Sequence, residues 1–266
     1  SSFLRARLRN MVRAAEMRGT IHGVPKGKKL SSKRMVKTSM QMRSGKDPNQ
    51  AYQKRDAEID TSIAVSVVLD ESGSMWGSTA EVSRALVSLV EPLDTLGAKI
   101  QVAGFQDSYG GSSQYWDNAA HRQDPVRHNI FMSFGERFAS VRHRFMAMSA
   151  RGGTPMADGV ALGLDGLNER KEGHRIMFVF TDGAPDPTHA PVVKHQIRKA
   201  GEAGIHVVGV GIGRGARYVK NLFPTSVHVN NACDLPAQLA VLLNQLLDFN
   251  GNGRSQALRG TKSKHR

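Results

Sequence analysis

Three short stretches hold oxygen-bearing side chains at spacings that could do chemistry. LDESGSM, Leu69 to Met75, places Asp70, Glu71, Ser72 and Ser74 directly behind the apolar run IAVSVV. TDGAPD supplies Asp182 and Asp186 behind another apolar run, RIMFVF, and GGTPM supplies Thr154. Hydroxyls and carboxylates without histidine or cysteine are hard donors, the set that suits magnesium, with manganese as the alternative. Glycines at 73, 153 and 183 would let the backbone turn tightly enough for short side chains to converge. Taken alone, DESGSM is also what a helix cap looks like, since serine and aspartate satisfy free helix amides. Three such clusters behind separate elements favour a shared site.

The elements that must position these groups follow from hydrophobic patterning. Near-continuous apolar runs at 63–69, 99–105, 175–181, 205–212 and 226–230 read as strands, and helical spacing covers 78–97, 155–171, 190–204 and 234–249. A further helix is expected over 134–148, and 107–129, rich in Gly, Ser, Asn and Asp, reads as a loop or insertion. Apolar strands alternating with helices predict an α/β, doubly wound, mostly parallel sheet with helices on both faces. In such sheets ligands bind outside the carboxyl ends of the strands. The polar clusters fall there.

Charge divides the chain further. Residues 1–60 carry 15 Lys/Arg against 5 Asp/Glu and 251–266 carry 5 against none, so most of the net charge of +14 lies in the ends. The expected organisation is a basic extension at 1–60, of which 27–60 packs on the domain, an α/β domain at 61–250, and a basic tail at 251–266. The segment 1–19 reads as a short basic amphipathic helix, because arginines interrupt it where a secretory signal would be apolar. A single cysteine, Cys233, excludes an internal disulfide and points to a small apolar filler in a reducing, cytoplasmic setting. No apolar run is long enough to predict a membrane span.

The order DxSxS, GGTP, TDG, each at a strand or helix end, resembles the von Willebrand factor A domain with its metal-ion-dependent adhesion site. That resemblance implies Ser72, Ser74 and Thr154 as direct or near-direct magnesium ligands. It implies Asp70 and Asp182 as carboxylates that hold the ion partly through water, and one coordination position left open for an acidic side chain of a partner. Glu71 sits at the variable position and is expected to point away from the ion. GKKLSSKRM, DTSIAVSVVLDESGSM, GGTPMADGVALGLDGL, RIMFVFTDGAPD, GIHVVGVGIG and VHVNNACDLPAQLAVLLNQLL further resemble the carboxyl-terminal domain of the cobaltochelatase T subunit (CobT-like) over roughly residues 27–248. The long acidic region of full chelatase subunits is replaced by a short basic segment, as expected of a short or phage-encoded relative. This implies a subunit without activity of its own beside a hexameric AAA+ ATPase of the MoxR or chelatase (CobS-like) type, in cobalamin biosynthesis for the chelatase case.

Candidate partner contacts are Glu71 and Asp186 near the metal loops and Arg5, Arg7 and Arg9 in the basic extension. The same cations, with Arg13, Lys26, Lys28, Lys29, Lys33 and Arg34, could neutralise phosphates, which leaves a nucleic-acid-associated protein as the alternative. They lack the interleaved aromatics of a single-strand platform. GVGIGRG lacks the Gly-Lys-Ser/Thr ending of a phosphate loop and reads as a tight strand-to-helix turn. The histidines are scattered, and Asp107 and Asp117, in the expected insertion, either line the metal face or, the commoner case, stand as solvated loop carboxylates.

Overall fold

The computed structural model describes residues 20–48, 50–55, 62–107, 126–185, 189–231 and 234–246, with isolated helical positions at 6 and 9. The expectations for the helix at 1–19, for Asp117, Cys233 and the tail at 251–266 lie outside these residues, apart from positions 6 and 9. Two compact units are distinguished, one spanning Ser62–Leu246 and one falling within Arg9–Thr61. Neither contains a helix long and apolar enough to cross a membrane among the described residues.

In the amino-terminal unit, strands β1 (Thr20–Val24), β2 (Lys29–Leu30) and β3 (Tyr52–Arg55) form an antiparallel sheet in the order β1-β3-β2. A 3-10 turn, Ser32–Arg34, leads into helix α1 (Met35–Arg43). Hydrophobic patterning does not predict this sheet, because its strands are short and lack apolar alternation. The connection is held by polar bonds: Ser31 N donates to the Ala51 carbonyl at 2.8 Å, and Ser31 Oγ lies 2.8 Å from His22 Nδ1. Gly23 sits at φ +84°, a left-handed backbone conformation that a residue with a Cβ adopts only with strain.

The second unit runs β4 (Ile63–Asp70), α2 (Thr79–Thr95), β5 (Lys99–Asp107), β6 (Val126–Met132), α3 (Phe138–Val141), α4 (Met156–Asn168), β7 (His174–Thr181), α5 (Ala190–Glu202), β8 (Ile205–Ile212), α6 (Val219–Leu222), β9 (Thr225–Val229) and α7 (Leu235–Leu246). Its sheet has the order β6-β5-β4-β7-β8-β9, parallel except for β6, which pairs antiparallel with β5. Helices α4 and α5 pack together, as do α2 and α7, so both faces are covered. The expected doubly wound α/β architecture is present.

Two local expectations are corrected. The region 134–148 is not one helix: α3 spans four residues and passes into a 3-10 turn, Arg142–Ala147. Phe138, Val141 and Phe145 are buried there, and Ser83 Oγ donates to the Phe145 carbonyl at 2.8 Å, so this backbone is held from α2 rather than by a continuing helix. The loop expected over 107–129 is also shorter at its end, since β6 begins at Val126.

Close packing of α4 on the sheet fixes where the site can form. A Cβ on Gly163 would lie 2.7 Å from Met177 Cε and 2.9 Å from Val68 Cγ1, and one on Gly159 would enter the Phe105 ring. Glycine inside a helix costs roughly 1 kcal/mol relative to alanine. Here it is offset by a helix lying directly on β4, β5 and β7. The chain leaves β4 for β5 on one side and returns to β7 on the other. The crevice of an open α/β sheet therefore opens at the carboxyl ends of β4 and β7, where Asp70 and Thr181 end their strands.

Candidate metal centre

Asp70 ends a strand whose eight residues are all buried. Its Oδ1 accepts from Ser72 N at 2.9 Å and its Oδ2 from Thr181 Oγ1 at 2.8 Å. Burial pushes the Asp70 carboxyl up to about 6, against the downward pull of the Ser72 and Thr181 hydrogen bonds, with the neighbouring Asp182 adding a smaller upward push. A nearby positive charge stabilises the ionised form of such a buried carboxyl group.

From Asp70 the side chains step outward toward solvent. Ser72 Oγ, buried, lies 3.0 Å from Ser74 Oγ, and exposed Ser74 donates to Asp182 Oδ1 at 2.7 Å. The 3-10 turn Gly73–Gly77 turns Ser74 back over the strand end, with Met75 plugging the core beneath. Thr154, half-buried, precedes α4 and is carried by a loop tied to the β4 end. Arg151 N donates to the Glu71 carbonyl at 2.7 Å, Gly73 N donates to the Gly152 carbonyl at 3.0 Å, and Gly153 N donates to the Asp107 carboxylate. The structure thus joins Asp70, Ser72, Ser74 and Asp182 in one bonded chain and ties the Thr154 loop to the same strand end.

Glu71 corrects an expectation. It points away from the site, but it is 2% exposed and cannot serve as a partner contact. Its Oε2 accepts from Asn129 Nδ2 at 2.5 Å and its Oε1 from Ser149 N at 3.2 Å, and burial raises its carboxyl. A Cβ on Gly104 would fall on this carboxylate, so glycine in β5 makes the room. Glu71 therefore clamps β6 and the loop leading to Thr154 onto the end of β4. Asp107, expected in a solvated loop, instead ends β5 and bonds the Gly153 amide.

Sequence reasoning misses Thr181 and Tyr218. Thr181 Oγ1, besides holding Asp70, lies 3.3 Å from the Tyr218 hydroxyl, and burial raises the Tyr218 phenol. Thr181 ends β7, where the strand-end rule would find it, whereas Tyr218 closes a 3-10 segment beyond β8 and carries no local signal. Of the GVGIGRG stretch, Gly209–Ile212 belong to β8, and the turn into the 3-10 segment Arg214–Tyr218 is made at Gly213, at φ +81°. Asp186, Arg5 and Arg7 lie outside the described residues, and Arg9 is exposed.

Among the described residues no group of three or more His, Cys, Asp and Glu could hold a metal. The donor set here has two carboxylates and relies on hydroxyls. Its chemistry fits a hard divalent cation. Ser74 and Asp182 supply adjacent oxygens on the outer side, with Ser72 buried next to Ser74 and Asp70 behind it with its charge desolvated. A hydroxyl-rich set leaves most of the charge on the ion.

Residues 65–226 match the von Willebrand factor type A domain. Solved structures with this fold include the PilB minor pilin from Streptococcus sanguinis, at 15% identity and TM-score 0.54, covering 75% of this chain and 65% of that one. They include the pilus adhesin SpaC from Lactobacillus rhamnosus GG, at 16% and 0.52, covering 70% and 30%. The manganese-loaded TRAP protein of Plasmodium vivax stands at 13% and 0.51, covering 71% and 75%. The chain spans less than two thirds of PilB and of SpaC. No curated protein matches it.

Proposed function

We propose a function on one premise: this chain belongs to the von Willebrand factor type A family. Domains of this family are often metal-dependent adhesion or protein-interaction modules. The chain is then a protein-binding module whose Asp70, Ser72, Ser74, Thr154 and Asp182 hold magnesium, with manganese as the alternative, and whose ion takes an acidic side chain of a partner. The observation that carries this reading is the bonded series from Thr181 through Asp70 and Ser72 to Ser74 and Asp182. It lies at the topological switch of the sheet and runs from buried Thr181 and Asp70 to exposed Ser74 and half-buried Asp182. When bound, the ion supplies electrostatic attraction for an incoming carboxylate. The protein contributes the oxygens of Ser72, Ser74 and Asp182, already hydrogen-bonded in series and anchored through Asp70.

The partner we propose is a hexameric AAA+ ATPase of the MoxR or chelatase type. This rests on the CobT-like resemblance of the motifs along residues 27–248, and on the absence of any Walker A sequence in the chain. ATP hydrolysis would be the partner's work.

Magnesium titration followed by melting, and ATPase binding measured alongside, test both levels. Wild type should gain roughly 2.7 kcal/mol at an ion concentration a hundredfold above the dissociation constant. Asp70→Ala should gain nothing, and Thr154→Ala should fold yet bind the ATPase much more weakly, with chelator reproducing the defect. An equal magnesium response in wild type and Asp70→Ala would sink the metal assignment. Unchanged ATPase binding in chelator would remove the metal face as the ATPase contact and leave the ion to serve another client.

A further inference from the structure

Among its described residues the amino-terminal unit has almost no inside. Among its residues with described exposure, Ser31 and Ala51 are buried. Its larger apolar side chains face out: Leu30 is 54% exposed, Met35 58%, Val36 70%, Met40 66% and Met42 61%. At 100° per residue Met42, Met35, Val36 and Met40 fall within roughly 160° of the circumference of α1, with Ser39 and Arg43 among them. Thr38 and Gln41, on the opposite side, are the half-buried positions. Helix α1 is amphipathic in the reverse sense for a free-standing unit, with its polar side inward and its apolar side to solvent. Small sheets of this kind need an apolar face covered to be stable, and a contiguous exposed apolar face marks an interaction surface.

The charge around this face selects its occupant. From Lys26 to Lys46 the chain carries eight Lys/Arg and no Asp or Glu. Among the described residues none of these cations forms a salt bridge; the Arg34 guanidinium donates to Gln50 Oε1. A second copy of the chain would bring the same charge and be repelled. Nucleic acid would use the cations but leave the methionines in water, and Tyr52, half-buried, is the aromatic residue that the described part of this unit offers for stacking. Membrane-surface helices carry Trp, Phe or Leu on the buried side, which α1 lacks. Methionine and valine ringed by lysine and arginine fit a protein: Met-rich surfaces adapt to apolar helix faces, and opposite charge steers and orients the encounter.

We infer that α1 with β2 forms a second docking surface, independent of the metal centre, for an acidic amphipathic helix of a partner protein. The partner places apolar side chains on Met35, Val36, Met40 and Met42 and carboxylates against Lys29, Lys33, Lys37 and Arg43.

The full chain can be titrated with four probes: a helical peptide with leucines on one face and glutamates on the other, an isomer of identical composition without an apolar face, a random DNA duplex, and phosphatidylserine vesicles. The amphipathic peptide should bind at least about tenfold more tightly than its isomer and slow hydrogen exchange in α1. Val36→Asp with Met40→Asp, both at exposed positions, should keep the wild-type melting temperature and lose that tenfold preference. Lys33→Glu with Lys37→Glu should weaken both peptides and flatten the salt dependence. Equal binding of the two isomers would overturn the inference, as would no binding at low salt. Duplex or vesicle binding tighter than the peptide and indifferent to Val36→Asp with Met40→Asp would overturn it too.

Discussion

The two units of this chain solve the problem of apolar surface in opposite ways. Around β4 and β7 every strand residue from Ile63 to Asp70 and from Ile176 to Thr181 is buried, and glycines at 159 and 163 let a helix lie directly on the sheet. Around α1 the methionines stand in water, and among the described residues of that unit a serine and an alanine are the buried ones. The large-sheet unit carries its own driving force for folding; the amino-terminal unit has its apolar side chains arranged for something else to cover. Marginal stability makes the difference measurable, because one or two kcal/mol decides a domain. Substitutions of like chemistry in the two units should therefore have very unlike costs.

The largest effect is expected at the centre of the sheet. Phe178, fully buried in β7 between β4 and β8, should cost about 3–5 kcal/mol when cut to alanine, through lost transfer energy and the cavity left behind. Urea unfolding of the full chain measures it. A loss near that of a surface truncation would mean that the core does not lie where the burial pattern puts it.

Next in size is a pH effect at the metal centre in chelator. The Asp70 carboxyl moves from 3.8 in a free chain to about 6 in the fold. Between those values the folded state holds a proton that the unfolded state has lost. Stability therefore falls as pH rises through the window, by roughly 3 kcal/mol at most. Glu71, also raised by burial, adds to the same slope. Unfolding free energies at pH 4 and pH 7 should show the drop, Asp70→Asn should flatten it, and magnesium should offset it at the upper end. A drop unchanged in Asp70→Asn would assign it to other groups.

How far the sequence reveals these features depends on the range of the forces behind them. The strands of the large sheet are legible because a parallel strand buried on both faces must be apolar throughout, and IAVSVV and IHVVGVGI are. The DxSxS cluster is legible because polarity directly behind such a run has to face the strand-end crevice. The clamp made by Glu71 is not, since its partners Asn129 and Ser149 stand 58 and 78 residues away, and nothing local distinguishes a clamped glutamate from a solvated one. Strand β6, VRHNIFM, is an edge with most residues exposed or half-buried, so it lacks the apolar signature of its neighbours. The strands TIHGV and YQKR lack that signature too, although YQKR is the central strand of its sheet. Helix α3 ends early because the Phe145 carbonyl is held by Ser83, a tertiary contact that helical spacing does not encode.

A smaller effect separates packed from open glycine. Gly163→Ala gains helix propensity of roughly 1 kcal/mol but meets Met177 and Val68, an overpacking that costs about 1–3 kcal/mol, so the net should be a loss. Gly201, near the end of α5 with nothing within 4 Å of its added Cβ, should gain up to about 1 kcal/mol as alanine. Opposite signs in one denaturation series would support the close seat of α4. A gain at both positions would place α4 farther from the sheet.

The smallest expected effect is the most telling for the amino-terminal unit. Met40→Ala removes a side chain as large as many in the core, yet Met40 is 66% exposed and its truncation leaves no cavity. Surface substitutions away from special features fall within about 0.5 kcal/mol of zero. The isolated full chain should therefore unfold as wild type does with Met40→Ala, and likewise with Val36→Ala, while Phe178→Ala falls far below both. A loss of about 2 kcal/mol or more at Met40 would be the cost of opening a packed site. The outward face of α1 would then be covered within the chain, and the contrast between the two units would disappear. A neutral result leaves side chains that contribute nothing to folding in the free protein, and so leaves their apolar surface free to contribute to binding.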